Sequence, residues 1–174
     1  GVTPDLCTLG KAVAGGFPLT AVAGREEIMR HFDAGAVDAD SFMPQIGTLS
    51  GNPVAAVAGL ATLKILKRDG QYEKLFTTGK RVMDALQRLL DEAEIPAKVV
   101  GAPPVFDVFF TCNEITDYRS TLTQDNDILM RFNRLLLDRG VFKGDTKYYL
   151  SLAHTEEDLD LTFEAFSSAI AELS

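Results

Sequence analysis

The stretch at residues 53–68, "PVAAVAGLATLKILKR", limits what this chain can fold into more than any other. Asn52 can accept from the first free N–H groups of a helix, Pro53 suits the first helical position, and Gly70 stands just past the predicted end. The spacing therefore predicts a helix rich in alanine and apolar on most sides. Such a helix needs neighbours all round it.

Its surroundings within residues 1–70 are thin. A short apolar strand is predicted at 5–9 and a second at 18–24; "REEIMRHF" then reads as a helix with acidic residues in its first turn, and 33–47 as a loop. These pieces leave too little to bury the helix at 53–68, so its covering layer is expected from elsewhere. The opening "GVTPDLCTLG" reads as a sequence cut mid-domain.

From residue 71 the pattern becomes self-sufficient. Tyr72, Leu75, Phe76, Val82, Met83, Leu86, Leu89 and Leu90 recur at helical spacing until Ile95-Pro96 ends the run. Strands follow near "KVVG" and "VFDVFFT", then a loop and a helix at 126–139 capped by Asp125 and closed by Gly140. Further strands are predicted at 141–143 and 147–152, and Thr155 with Asp158 forms a capping box opening a last helix at 156–172. Residues 71–174 thus read as a small α/β domain and 1–70 as part of another.

Several function classes are excluded by composition. With 46% hydrophobic and 24% charged residues the chain has the make-up of a globular protein, and no apolar run suits a membrane helix. The N-terminus has no signal-peptide pattern, which makes the cytoplasm the expected compartment. The net charge of -8 and the lack of a basic face argue against nucleic acid. Cys7 and Cys112 form no pairing or metal-binding pattern and are read as buried thiols.

Lys11 carries the first chemical signal. It lies in "LGKAVAGGF", where almost nothing is polar enough to hold an ammonium. Burial among apolar groups disfavours the charged form, and a neutral amine attacks a carbonyl to form a Schiff base. Gly10, Gly15 and Gly16 would let a planar ring approach the backbone. A nucleotide-binding loop is ruled out, because Ala12 follows the lysine where serine or threonine is needed.

The second signal is "GTLSGNP" at 47–53, small residues with hydroxyls and N–H groups directly before a helix. Loop donors, hydroxyls and the positive helix end can together bind an anion; taken alone, the loop reads equally as a plain helix cap. Beside a Schiff-base lysine it points to a phosphate on an aldehyde cofactor, pyridoxal phosphate.

"PDLCTLGKAVAGGFPLTAVAGR" followed by "GTLSGNPVAAVAGLATL" resembles the class III aminotransferases of fold type I, and "SLAHTEEDLDLTFEA" resembles the glutamate-1-semialdehyde aminomutase branch. The resemblance implies an α/β fold: the end of the large pyridoxal-phosphate-binding domain over 1–70 and the C-terminal small domain over 71–174. It implies that Lys11 forms the Schiff base with the cofactor and that Gly47 and Thr48 reach the cofactor phosphate of the neighbouring subunit in a homodimer. It also implies that the phosphate turn, the ring-stacking aromatic and the aspartate for the pyridine nitrogen belong upstream, so that these residues alone are expected to be inactive.

The activity implied is an aminotransferase or aminomutase acting on an amino acid or amino ketone. A β- or ω-amino acid transaminase is the alternative, and a non-catalytic fragment serving folding or dimerisation is the alternative of another class. The segment "KGDTKYY" is shorter than the "APSAFEAGF" kind that aminomutases carry, which leaves the exact reaction open; its Lys143 and Lys147 are read as surface lysines. His154 is expected to make a structural hydrogen bond, His31 to be exposed or to meet a helix dipole, and Gln45 and Ser50 to support the turn of the 47–53 loop.

Overall fold

A computed structural model describes residues 1–173, which divide into two compact units, one over Gly1–Asp69 and one from Gly70 onward. In the first, strands β1 (Leu6–Leu9) and β2 (Ala21–Gly24) form an antiparallel hairpin, with Leu6 opposite Gly24 and Leu9 opposite Ala21. A 3-10 turn at Lys11–Ala14 lies between them, followed by a short α1 (Glu26–Met29), a further 3-10 turn at Arg30–Phe32, and α2 (Pro53–Leu66). The second strand is shorter than expected, because Leu19 N–H bonds back to the Phe17 carbonyl around Pro18 before pairing begins. Arg25 closes the open end of the hairpin: its N–H donates to the Asp5 carbonyl at 3.1 Å and its Nε meets Asp5 Oδ1 at 3.0 Å.

α2 begins as its sequence requires, with Asn52 Oδ1 accepting from the N–H groups of Val54 and Ala55. One face packs through small residues: Ala55 and Gly59 are buried, as is Ala14 of the 3-10 turn. The opposite face stays open, with Val54, Val57, Leu60 and Leu63 each more than half exposed. Gly70 does not close this helix. Lys67 caps it in ordinary helical geometry, and Gly70, at φ +77°, instead starts α3 (Gln71–Glu92).

The second unit places helices against one face of an antiparallel meander, β3 (Lys98–Ala102), β4 (Val105–Phe109) and β5 (Tyr148–Tyr149), in that order. Along β4 the side chains alternate, and Phe106, Val108 and the following Phe110 are buried. They meet Val82, Leu86 and Leu90 of α3, Phe132 and Leu136 of α5 (Asn126–Asp138), and Phe166, Ala169 and Ile170 of α6 (Glu156–Leu173) in one core. The loop before α5 holds a short helix that periodicity did not reveal, α4 (Tyr118–Thr121), begun by a reciprocal cap between Asp117 and Ser120.

Two strand predictions are corrected. Residues 141–143 are not a strand, because Val141 N–H bonds to the Leu136 carbonyl and Gly140 N–H to that of Leu137. This pair of bonds, with Gly140 at φ +83°, is a Schellman cap of α5, so Val141 completes a helix instead of joining a sheet. The strand expected at 147–152 pairs only at Tyr148 and Tyr149. Both cysteines are also exposed, contrary to expectation: Cys7 sits on a two-stranded hairpin with no layer over it, and Cys112 in the turn after β4.

Candidate active site around Lys11

The position of Lys11 follows from its neighbours in sequence. Gly10 leaves β1 fully extended at φ -164°, and Lys11 then adopts φ +52°, a left-handed conformation unfavourable for a residue with a β-carbon. Gly15, left-handed at φ +56°, closes the turn by donating to the Ala12 carbonyl at 3.2 Å. The turn is seated on α2, where a β-carbon on Gly15 would touch Thr62 Oγ1 at 3.4 Å and one on Gly59 would stand 2.5 Å from Leu19 Cδ2. The glycine and alanine face of α2 thus fixes the backbone that carries the lysine.

Lys11 itself is exposed, which corrects the expectation that its own sequence neighbours desolvate it. Within the run only Ala14 is fully buried, against α2, while Lys11 lines an open groove with Gly16, Phe17, Pro18, Thr20 and Leu49. Among the described residues its ammonium makes no hydrogen bond and no ion pair.

The loop at 47–51 lies beside this groove. Leu49 lines it, and Gly47, Leu49, Ser50 and Gly51 line an adjoining cavity with Gln45, Thr20 and Phe32. Ser50 N–H donates to the Gly47 carbonyl at 3.0 Å and Asn52 N–H to that of Leu49 at 3.1 Å, giving two tight turns in succession. A β-carbon on Gly47 would come within 2.8 Å of Ser50 Oγ, so a larger residue there would turn the exposed Ser50 side chain aside. The helix end is less available than expected, because Asn52 already occupies the N–H groups of Val54 and Ala55. What remains for an anion is the loop itself. The Thr48 and Ser50 side chains are exposed and have no partner among the described residues; Thr48 lines neither cavity.

The family model for class-III aminotransferases matches residues 1–170. The chain belongs to the class-III aminotransferase family. It is 34% identical to the glutamate-1-semialdehyde 2,1-aminomutase of Natranaerobius thermophilus over 99% of its length, and 38% identical to that of Methanopyrus kandleri over all of it. It spans about 40% of the length of each of these curated relatives. Among solved structures it matches an ω-transaminase from Sphaerobacter thermophilus with a TM-score of 0.90 at 30% identity, covering 99% of this chain and 39% of that one. A transaminase with PLP bound matches with a TM-score of 0.83 at 26% identity, over 99% of this chain and 39% of the other. An α/β fold shared with the transaminases is thereby established for this family member.

The histidines of this class-III member serve the backbone. His154 Nδ1 accepts from Ser151 N–H at 3.1 Å, the structural bond expected of it. His31 is half-buried instead of exposed; its Nδ1 donates to the Ser41 carbonyl at 2.8 Å and its own carbonyl accepts from Met43 N–H, which ties down the 33–47 loop. Lys147 is exposed, as expected of a surface lysine, but Lys143 is half-buried, with Nζ 4.9 Å from the centre of the Tyr148 ring. Tyr148 was not anticipated as a polar feature: its hydroxyl is buried without a hydrogen-bond partner among the described residues. The sequence signal for it is weak, because an aromatic in "KYYL" reads first as a strand residue.

Proposed function

We propose that this chain is the lysine-bearing part of a pyridoxal-phosphate-dependent aminotransferase or aminomutase, with residues 1–70 ending the large domain and 71–174 forming the small one. The observation that carries the reading is the unengaged Lys11 ammonium, held in a left-handed turn and facing an open groove. A lysine merely serving the surface has no need of such a backbone, whose cost is of order 1–3 kcal/mol.

The residues present fit the cofactor. Lys11 Nζ is the group that would hold it, Gly16 leaves open space beside the groove, and the exposed hydroxyl of Thr48 with the turn at Gly47 would serve a phosphate, that of a partner subunit's cofactor in a homodimer. When bound, pyridoxal phosphate supplies an aldehyde that condenses with amines and a ring that draws electrons from the substrate carbon. Released from the cofactor as a neutral amine when a substrate amine takes its place, Lys11 Nζ would be the group to take a proton from that carbon and return it at a neighbouring one. α2 orients the amine through its packed small face. A cytoplasmic location completes the proposal; among the described residues no helix is long and apolar enough to cross a membrane.

Sequence identity favours an aminomutase acting on an amino carbonyl compound that carries a carboxylate, and the fold match to an ω-transaminase supports transfer between two molecules as the second reading. Incubating the complete protein with glutamate-1-semialdehyde alone, and separately with an amino donor and a keto acid, distinguishes them. Turnover of the semialdehyde alone supports the first, transfer only with the second pair supports the alternative, and neither activity would refute both.

A further inference from the structure

Asp69 is the last residue of the first unit and Gly70 the first of the second. Lys67 closes α2 and Gly70 opens α3, so the pair stands between two helices, and both residues are exposed. An aspartate followed by glycine carries a reaction of its own. Its carboxyl carbon lies within reach of the next backbone nitrogen, a five-membered ring closes without strain, and glycine has no β-carbon to bar the approach. Hydrogen bonds that occupy the carboxylate or the attacking N–H hold such a pair inert in a folded chain.

Both groups are free at this junction. Among the described residues the Asp69 carboxylate makes no hydrogen bond or ion pair, and the Gly70 N–H has no acceptor. The start of α3 has no side-chain cap, so Asp69 is not recruited as one, and the place of a β-carbon on Gly70 is open space. Other aspartates near turns and helix starts are held. Asp33 Oδ1 accepts from Gly35 N–H at 2.9 Å, Asp117 Oδ1 from Ser120 N–H at 2.8 Å, and Asp125 Oδ1 from Asp127 and Ile128 N–H, both at 3.0 Å. Asp40, followed by the small Ser41, gives the sharpest contrast. There the attacking Ser41 N–H is already engaged, with Asp38 Oδ1 at 2.9 Å and the Asp38 carbonyl at 3.1 Å.

We propose that Asp69-Gly70 is a site of spontaneous covalent modification, closing to a succinimide and reopening as isoaspartate. The Gly70 nitrogen bonds to Asp69 Cγ, and the hydroxyl of the protonated carboxyl leaves with the amide proton as water. Water then adds at the α-carbonyl carbon and breaks its bond to the Gly70 nitrogen. The chain now runs on through Cγ, and the α-carboxylate is left free. One water leaves and one enters, with no change of oxidation state. The product adds one methylene to the main chain immediately before α3, and its free α-carboxylate is the group that an isoaspartyl methyltransferase accepts. The inference does not depend on the cofactor reading.

Incubation of the full chain at physiological pH and temperature for several weeks, followed by isoaspartyl methyltransferase labelling and peptide mass spectrometry, tests it. A species lighter by one water, and then isoaspartate, should accumulate at Asp69 at a rate close to that in a free peptide of residues 64–74. Asp40 should stay unmodified in the folded chain. Asp69→Glu, whose longer side chain would have to close a six-membered ring, should lose the label while folding like the parent. A folded chain in which Asp69 reacts far more slowly than the peptide would overturn the proposal, as would equal labelling at Asp40 or undiminished labelling of Asp69→Glu.

Discussion

Gly79 of α3 faces the carbonyl of Pro103 so closely that a β-carbon on the glycine would overlap it. The contact seats the turn between β3 and β4 on the helix, and because the obstacle is backbone it cannot swing aside. Replacing glycine by alanine inside a helix is ordinarily worth up to about 1 kcal/mol in propensity. Here Gly79→Ala should instead lower unfolding stability, by about 1–3 kcal/mol as overpacking does. Urea unfolding of parent and variant checks this; a variant as stable as the parent would mean that the turn relaxes.

Lys11 invites the opposite experiment. Its φ of +52° is unfavourable for a residue with a β-carbon and natural for glycine. Lys11→Gly should raise stability by about 1 kcal/mol, read as a higher urea midpoint, while abolishing any reaction with an aldehyde cofactor. A variant both less stable and still reactive would contradict the role given to this turn.

Thr48 is proposed to serve a cofactor phosphate across a dimer. Thr48→Ala in the complete protein should weaken cofactor retention by about 1.5–3 kcal/mol, the worth of a hydrogen bond to a charged group. Dialysis against cofactor-free buffer measures it, and unchanged retention would leave the loop as a helix cap only.

The last helix carries a pH dependence. Hydrogen bonds from Thr155 hold the Asp158 carboxyl below its ordinary value of 3.8. A depressed folded value means that the stabilisation is fully present above the unfolded value and is lost as the pH falls through the folded one. Asp158→Asn should therefore be less stable than the parent at neutral pH, and the gap should narrow once the pH drops below about 4. A gap independent of pH would assign the effect to packing instead of charge.

Much of this was legible in the sequence because it depends on local chemistry. Asn52, Asp125 and the Thr155 and Asp158 pair each announce a helix start by a side chain that bonds its own backbone, and each does so. Where the reading failed, a nonlocal or competing local bond decided. Val141 looked like a strand residue, but the Leu136 carbonyl needed its N–H. Gly70 looked like the end of one helix and starts the next. Lys11 stood out by its apolar neighbours, yet of these only Ala14 is buried, against α2, while Leu9, Ala12 and Phe17 stay exposed like the lysine itself. Which residues desolvate a side chain is a property of packing, and adjacency in sequence does not report it. The buried hydroxyl of Tyr148 was hidden for the same reason.

The central claim is that Lys11 is the residue that holds pyridoxal phosphate. The most direct measurement is borohydride reduction of the complete protein after incubation with the cofactor, followed by peptide mass spectrometry. The account predicts one stoichiometric phosphopyridoxyl label on Lys11, and none in Lys11→Ala. A label placed on another lysine, with Lys11 unmodified, would contradict it.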